Sequence, residues 1–220
     1  MEMNDMEKPD FLKNAMRNLS IPVITMEKYG FDCPGVDIIF DYEKGGYMAT
    51  RHLIECGHRR IGCVAGKQSF HVTMQRLNGY KKALEESGIS YDPDLVYFGD
   101  YTMESGYEAF SYILGQKVTA IFSMNDEMAF GIYRAARLYG VSIPEDISII
   151  GFDNVPFADV MQVPLTTIGV PVIEMWKKLG EKVVDLIDNK EKLKEREEIL
   201  YTPRLLVRGS TKSIPPVTVI

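Results

Sequence analysis

Four apolar runs are each followed by polar residues whose types suit hydrogen bonding to a hydroxyl-rich small molecule. Arg76 follows the run 61–65, and Asp100 with Tyr101 follows 95–98. Asn125 with Asp126 follows 120–123, and Asp153 with Asn154 follows 148–151. A guanidinium fork donates to two vicinal hydroxyls, a carboxylate or a carbonyl. An amide both donates and accepts, a carboxylate accepts, and an aromatic ring offers an apolar face. These groups converge only if the four runs are strands of one parallel sheet, whose carboxyl edge collects the turns that follow them.

Each candidate also has a plainer reading. Asn125 and Asp126 open a helical pattern, where Asn or Asp caps the free backbone N–H groups. Asp153 and Asn154 are turn formers. Arg76 suits a helix surface, and Tyr101 an ordinary half-buried position.

The elements that must position these residues alternate. Helical periodicity runs over 42–56, 75–87, 103–114 and 126–139, with Gly57, Gly88, Gly115 and Gly140 as the stops. Apolar runs at 21–26, 36–40, 60–65, 95–98, 118–123, 147–151, 165–168 and 199–206 read as strands. A short helix is expected over 10–19. Pro171 opens a long helix with Ile173, Trp176, Leu179, Val183 and Ile187 as its apolar face. Strands alternating with helices indicate a doubly wound parallel α/β fold.

Composition narrows the function classes. The 220 residues carry a net charge of −6, with 45% hydrophobic and 25% charged residues. The basic cluster at 190–196 is interleaved with Glu191 and Glu195, and Glu197 and Glu198 follow it. It reads as a solvated helix end rather than a phosphate track. No apolar run has the length of a membrane span. Residues 1–10 lack the basic start and apolar stretch of a secretory signal, so a cytoplasmic location is expected. Cys33, Cys56 and Cys63 are read as reduced thiols.

Three other chemistries fail on spacing. Gly62, Gly66, Lys67 and Ser69 are one residue short of a phosphate loop, with Gln68 where a hydroxyl is required. His52, Cys56, His58 and Cys63 have a zinc-like composition, but Cys63 lies in a strand expected to be buried. No Gly-x-Ser-x-Gly elbow accompanies Ser69 and His71. No metal, no cofactor and no enzymatic activity are expected.

Six segments in order carry a family resemblance. They are IPVITME (21–27), GGYMATRHLIECGHRRIGCVAG (45–66) and RLNGYKKALEESGI (76–89), then TAIFSMNDEMAFGIYRAARLYGVSIPEDISIIGFDN (119–154), PLTTI (164–168) and TPRLLVRGST (202–211). Together they resemble the effector-binding domain of the lactose-repressor/galactose-repressor (LacI/GalR) family of transcriptional regulators. The resemblance implies a periplasmic-binding-protein-like fold: two doubly wound parallel-sheet subdomains, joined by three crossovers, with a small-molecule effector between them. The expected division is a partial N-terminal subdomain, 1–40 with 170–199, and a C-terminal effector-binding subdomain, 41–168 with 200–213, then a tail, 214–220. The first subdomain is expected to be incomplete. The family's helix-turn-helix headpiece, hinge helix and first two β-α units have no counterpart here, so operator DNA would be reached only through that missing part.

The resemblance also assigns roles. Arg76 falls on the family's effector-contacting Arg, Asn125 on its ligand-contacting Asn, and Asp153 on an Asp that accepts from sugar hydroxyls. Tyr101 falls at an aromatic position that packs on the effector. Glu27 stands where many members carry Asp, and its extra methylene changes the reach. Val170 replaces a frequent Gln, and Val72 a Ser of some sugar-binding members, which implies an effector less hydroxylated than a simple hexose or differently oriented. Residues 128–133 and 160–161 match surfaces that pair subunits, so a homodimer is expected. The implied function is effector sensing, of a sugar or sugar derivative, in a repressor. The rival is a sugar-binding protein of a transport system, which shares the fold.

Overall fold

Glycine punctuation and apolar runs translate into elements with few changes. The computed structural model describes residues 23–26, 35–189 and 196–215. The chain divides into two units: Met1–Asp41 with Val170–Pro203, and Tyr42–Gly169 with Arg204–Ile220. The expected helix over 10–19, together with Glu27 and Cys33, lies outside the described residues.

The second unit is built on a six-stranded sheet. Its elements are α1 (Tyr42–Glu55), β3 (Ile61–Ala65), α2 (His71–Glu86), β4 (Val96–Phe98), α3 (Met103–Gly115), β5 (Ala120–Ser123), α4 (Asp126–Tyr139), β6 (Ser148–Asp153), α5 (Phe157–Val160), β7 (Thr166–Gly169) and β9 (Arg204–Leu206). The strand order is β4-β3-β5-β6-β7-β9. Pairing is parallel throughout except between β7 and β9, which are antiparallel. Strands β3 and β5 are buried at every position, as expected of a parallel sheet covered on both faces. Tyr80, Phe110, Phe122 and Phe152 are the largest side chains sealed in this core. Gly57 and Gly140 take positive φ at 95° and 68°, ending α1 and α4 as their positions predict.

Close helix contact frames the core. A Cβ on Gly46 of α1 would strike the carbonyl of Arg76, and one on Gly79 of α2 would strike the carbonyl of Glu43. Gly106 of α3 and Gly131 of α4 make the equivalent approach to the backbones of Met128 and Met103. Both helix pairs therefore touch backbone to backbone. At the opposite edge from the polar turns, His58 is 1% exposed, and both ring nitrogens meet hydroxyls: Thr119 at 2.9 Å and Ser148 at 3.0 Å. His52 meets the Thr211 hydroxyl at 2.9 Å, and Cys63 is wholly buried in β3.

In the first unit, β1 (Val23–Met26), β2 (Gly35–Phe40) and β8 (Arg196–Tyr201) form a parallel sheet in that order. The buried Thr25 hydroxyl donates to Asp37, joining β1 to β2. Among the described residues the unit's helix is α6 (Val172–Asp188).

Three sequence expectations about β8, β9 and α6 change. The single strand expected over 199–206 is two, because Tyr201 pairs with Phe40 in the first unit while Leu205 pairs with Ile168 in the second. Residues 202 and 203, the second of them proline, separate the two strands. The burying face of α6 is Met175, Leu179 and Leu186; Ile173 (88% exposed), Trp176 and Ile187 face outward. Of the expected face only Leu179 is buried, so periodicity alone misplaces most of it. Pro171 occupies the N-cap position, one residue before the place expected for it.

Candidate functional site

Helix α2 begins at His71, four residues earlier than its periodicity suggests, so Arg76 lies in the second turn rather than at the helix start. The N-cap position belongs to Phe70, which supplies no capping hydrogen bond. Burial and specific partners, rather than a flexible turn, hold Arg76 at the sheet edge. It is 5% exposed. Its Nη1 donates to the carbonyl of Met124, and its Nη2 pairs with Asp153 Oδ1 at 3.1 Å. The guanidinium carbon lies 3.7 Å from the Phe152 ring centre, 4.9 Å from that of Tyr42 and 6.0 Å from that of Tyr101. One carboxylate and three ring faces thus compensate the desolvated charge. The buried Nε meets no acceptor among the described residues.

Asn125 is the N-cap of α4, and its amide also links two turns. Its Oδ1 caps α4 by accepting from the Met128 N–H at 2.9 Å. Its Nδ2 donates to the Tyr101 carbonyl at 2.9 Å, joining the β5 turn to the β4 turn. One amide hydrogen and one lone pair remain.

Tyr101 takes φ 72°, a left-handed conformation that costs a non-glycine residue about 1–2 kcal/mol. The Asn125 contact fixes its carbonyl, and its hydroxyl lies 2.7 Å from Thr73 Oγ1. Its ring occupies the space that a side chain at Gly66 would need, and stacks on Phe70 at 6.1 Å and 21°. Asp100 closes its own turn, accepting from the Thr102 N–H at 3.0 Å and hydroxyl at 2.6 Å.

Asp153 and Asn154 also take positive φ, 106° and 55°. Among the described residues, three of the four non-glycine residues in this conformation stand at this edge, and strain of that kind clusters at functional sites. The Asp153 side chain is 41% exposed beyond its pairing with Arg76. Desolvation raises its carboxyl above the usual range while the guanidinium opposes the rise. The Asn154 amide oxygen accepts from Arg208 Nη2 at 2.7 Å, and Arg208 also binds the Leu165 carbonyl at 2.7 Å and Asp159 at 3.2 Å.

Asp126 is not a cap. It is fully buried, with Oδ1 accepting from Thr167 Oγ1 at 2.7 Å and Oδ2 from the Val155 N–H at 2.9 Å. It clamps the strained turn that presents Asp153. Desolvation pushes its carboxyl up to about 6, against the hydrogen bonds from Thr167 and Val155. Its folded value therefore exceeds the unfolded one, so stability is lost as pH rises through the folded value. Relative to Asp126→Asn, which does not titrate, the native chain should lose about 3 kcal/mol between about pH 4 and about pH 8. Urea midpoints of the two chains at both pH values test this; a constant gap would contradict it.

The structure therefore brings Arg76, Asn125, Asp153 and Tyr101 to one edge of one sheet. Phe70, Thr73, Tyr42, Phe152 and Arg208 join them, none of which sequence reasoning selected. Phe152 and Thr73 were accessible in principle, one being adjacent to Asp153 and the other a helical turn before Arg76.

Among the described residues no helix is long and apolar enough to cross a membrane. The family of the periplasmic binding protein-like domain matches residues 50–211. The HTH-type transcriptional repressor PurR of Pasteurella multocida is 40% identical over 199 residues, which are 88% of this chain and 58% of that protein. The HTH-type transcriptional regulator DegA of Bacillus subtilis is 36% identical over 178 residues, 80% of this chain and 52% of its own length. A LacI family transcriptional regulator from Enterococcus faecium with bound ribose superposes with a TM-score of 0.81 at 29% identity, covering 94% of this chain and 77% of that one. The CelR–cellobiose complex superposes with a TM-score of 0.71 at 35% identity, covering 81% and 54%. The chain spans 52% and 58% of the length of the two curated relatives described. These relatives are regulators, and the transport reading is not favoured. The chain belongs to the periplasmic-binding-protein-like domain family and, within it, is an effector-binding domain of the LacI type.

Proposed function

We propose that this chain senses a sugar or sugar derivative for a transcriptional repressor acting in the cytoplasm, and that Arg76, Asn125, Asp153 and Tyr101 contact the effector. Glu27 is kept as a further contact on the strength of the family resemblance. The observation that carries the reading is the Arg76–Asp153 pair, buried at the arginine and open at the carboxylate. Such a pair offers a donor fork beside an acceptor, the complement of two neighbouring hydroxyls. The ribose and cellobiose held by two structural neighbours support a carbohydrate ligand. Operator DNA is a partner of the whole protein through a helix-turn-helix outside this chain, as the HTH-type relatives suggest.

A panel of pentoses, hexoses and disaccharides, scored by thermal shift and titration calorimetry, tests the reading. At least one sugar should raise the unfolding temperature, because a ligand bound only by the folded state stabilises it by mass action. A panel without any stabilising or calorimetric response would overturn it.

Homodimer formation belongs to the same proposal. A surface groove of about 1170 Å³ is lined by Phe130, Tyr133, Leu138, Phe157 and Met161 among others. Leu138 is 67% exposed, Phe157 69% and Val160 73%. Met128, expected on this surface, is instead fully buried. Phe157→Asp should shift the chain from dimer to monomer in light scattering, since a charge in the apolar centre of an interface is costly. An unchanged mass, or a monomeric native chain, would refute this assignment.

A further inference from the structure

We propose that Arg208 is a positioning residue that links the effector site to subunit pairing, so that effector binding and dimer formation strengthen each other. The proposal rests on the effector-site and homodimer readings above and joins them.

One segment carries both surfaces. It begins with Asp153, the proposed effector acceptor, and reaches Phe157, which lines the apolar groove. Met161 and Val163 continue the groove beyond α5. The start of the segment is strained, with Asp153 and Asn154 at φ 106° and 55°. Helix α5 has four residues and no side-chain cap at Pro156. A strained turn and so short a helix persist only where their surroundings hold them.

Arg208 holds both ends. It stands in the TPRLLVRGST segment, which supplies none of the proposed effector contacts. Its side chain is 16% exposed. Nη2 donates to Asn154 Oδ1 at 2.7 Å in the strained turn, and Nε pairs with Asp159 Oδ1 at 3.2 Å in α5. Nη1 donates to the Leu165 carbonyl at 2.7 Å, just past the groove residues. Its backbone N–H donates to Thr166 Oγ1 at 2.9 Å, which ties it to β7. The Leu165 N–H donates to the Ala158 carbonyl at 2.7 Å, and the Tyr133 hydroxyl to the Val163 carbonyl at 3.0 Å. Hydrogen bonds therefore run without a break from the turn of Asp153 to the groove. A planar fork can serve three acceptors at once, which a point charge cannot.

The sign follows from ordering. An effector bonded to Asp153 fixes the turn, and through Asn154 and Arg208 it fixes α5 in the arrangement that presents Phe157. A second copy then meets a surface with less freedom left to lose, and binds it more tightly. Linkage makes the effect reciprocal, so the dimer binds effector more tightly than the monomer by the same factor. If Arg208 served only to fasten β9 to β7, its loss would lower stability and leave pairing untouched.

Sedimentation velocity on dilution series of the whole chain tests the link, first without ligand. Asn154→Gly removes the acceptor for Arg208, accommodates the left-handed backbone, and alters no residue lining the groove. It should raise the dimer dissociation constant about tenfold, and Arg208→Lys, which keeps the charge without the fork, should do the same. Asn154→Asp retains an acceptor and should stay within about twofold of the native chain. The series is then repeated with ribose, with cellobiose and with the remaining sugars of the panel. A sugar that binds should tighten the native dimer about tenfold and the Asn154→Gly dimer about twofold or less. Equal dissociation constants for the native, Asn154→Gly and Arg208→Lys chains would overturn this inference and leave both readings standing. A native dimer whose strength ignores a bound sugar would overturn it likewise. A native chain that is monomeric at every concentration would overturn the homodimer reading, and this inference with it. Failure of the whole panel to bind would overturn the sugar-effector reading, and this inference with it.

Discussion

Replacing Arg76 by alanine is expected to weaken sugar binding by about a hundredfold or more, and Arg76→Lys by nearly as much. The guanidinium is planar, 5% exposed, and fixed at once by the Met124 carbonyl, Asp153 and the Phe152 ring. An ammonium is a point charge without the fork and cannot lie flat on a ring in the same way. Alanine also leaves Asp153 and the Met124 carbonyl without their donors, so a stability cost of about 1–2 kcal/mol is expected, moderated by the exposure of Asp153. Calorimetry with a sugar that binds the native chain gives the first quantity, and urea unfolding the second. Affinity within about twofold of the native value in a folded Arg76→Ala chain would remove Arg76 from the site.

Gly46→Val should be among the most damaging single substitutions in the second unit, at roughly 4 kcal/mol or more. The new side chain meets the backbone of Arg76, not the flexible end of a side chain. Helix α2 would have to retreat from α1, and the guanidinium would move with it. Effector binding should therefore fall together with stability. Gly88→Ala is the informative contrast. Nothing lies within 4 Å of a Cβ there, yet φ is 67°, so only the left-handed backbone penalty of about 1 kcal/mol is expected. Equal urea midpoints for the two variants would contradict the backbone-contact account of α1 and α2.

The legible parts of this chain were those set by local chemistry. Three of the four glycine stops, the fully apolar runs of β3 and β5, and the long helix α4 follow from propensity and periodicity; Gly115 instead lies inside α3, and Lys117 takes the left-handed position beyond it. The convergence of Arg76, Asn125, Asp153 and Tyr101 was legible because a parallel sheet gathers its turns at one edge. Their side-chain roles were less so. Asp126 reads as a cap, but Thr167 and Val155, distant in sequence, claim both of its oxygens. The left-handed backbone of Tyr101 carries no local signal, since tyrosine does not prefer that region and tertiary contacts enforce it, whereas Asp153 is signalled only as a turn former. Phe70 and Tyr42 are invisible for a similar reason, because each acquires its role from a partner far along the chain. On α6 the apolar residues extend beyond the buried face, and the sequence holds nothing that ranks them.

The most direct test of the central claim is a crystal structure of this chain grown with a sugar that the calorimetry shows to bind. The account predicts the sugar at the carboxyl edge of the six-stranded sheet, with neighbouring hydroxyls within hydrogen-bonding distance of Arg76 and Asp153 and a ring face on Tyr101. A sugar lodged elsewhere, with the Arg76–Asp153 pair untouched, would contradict it.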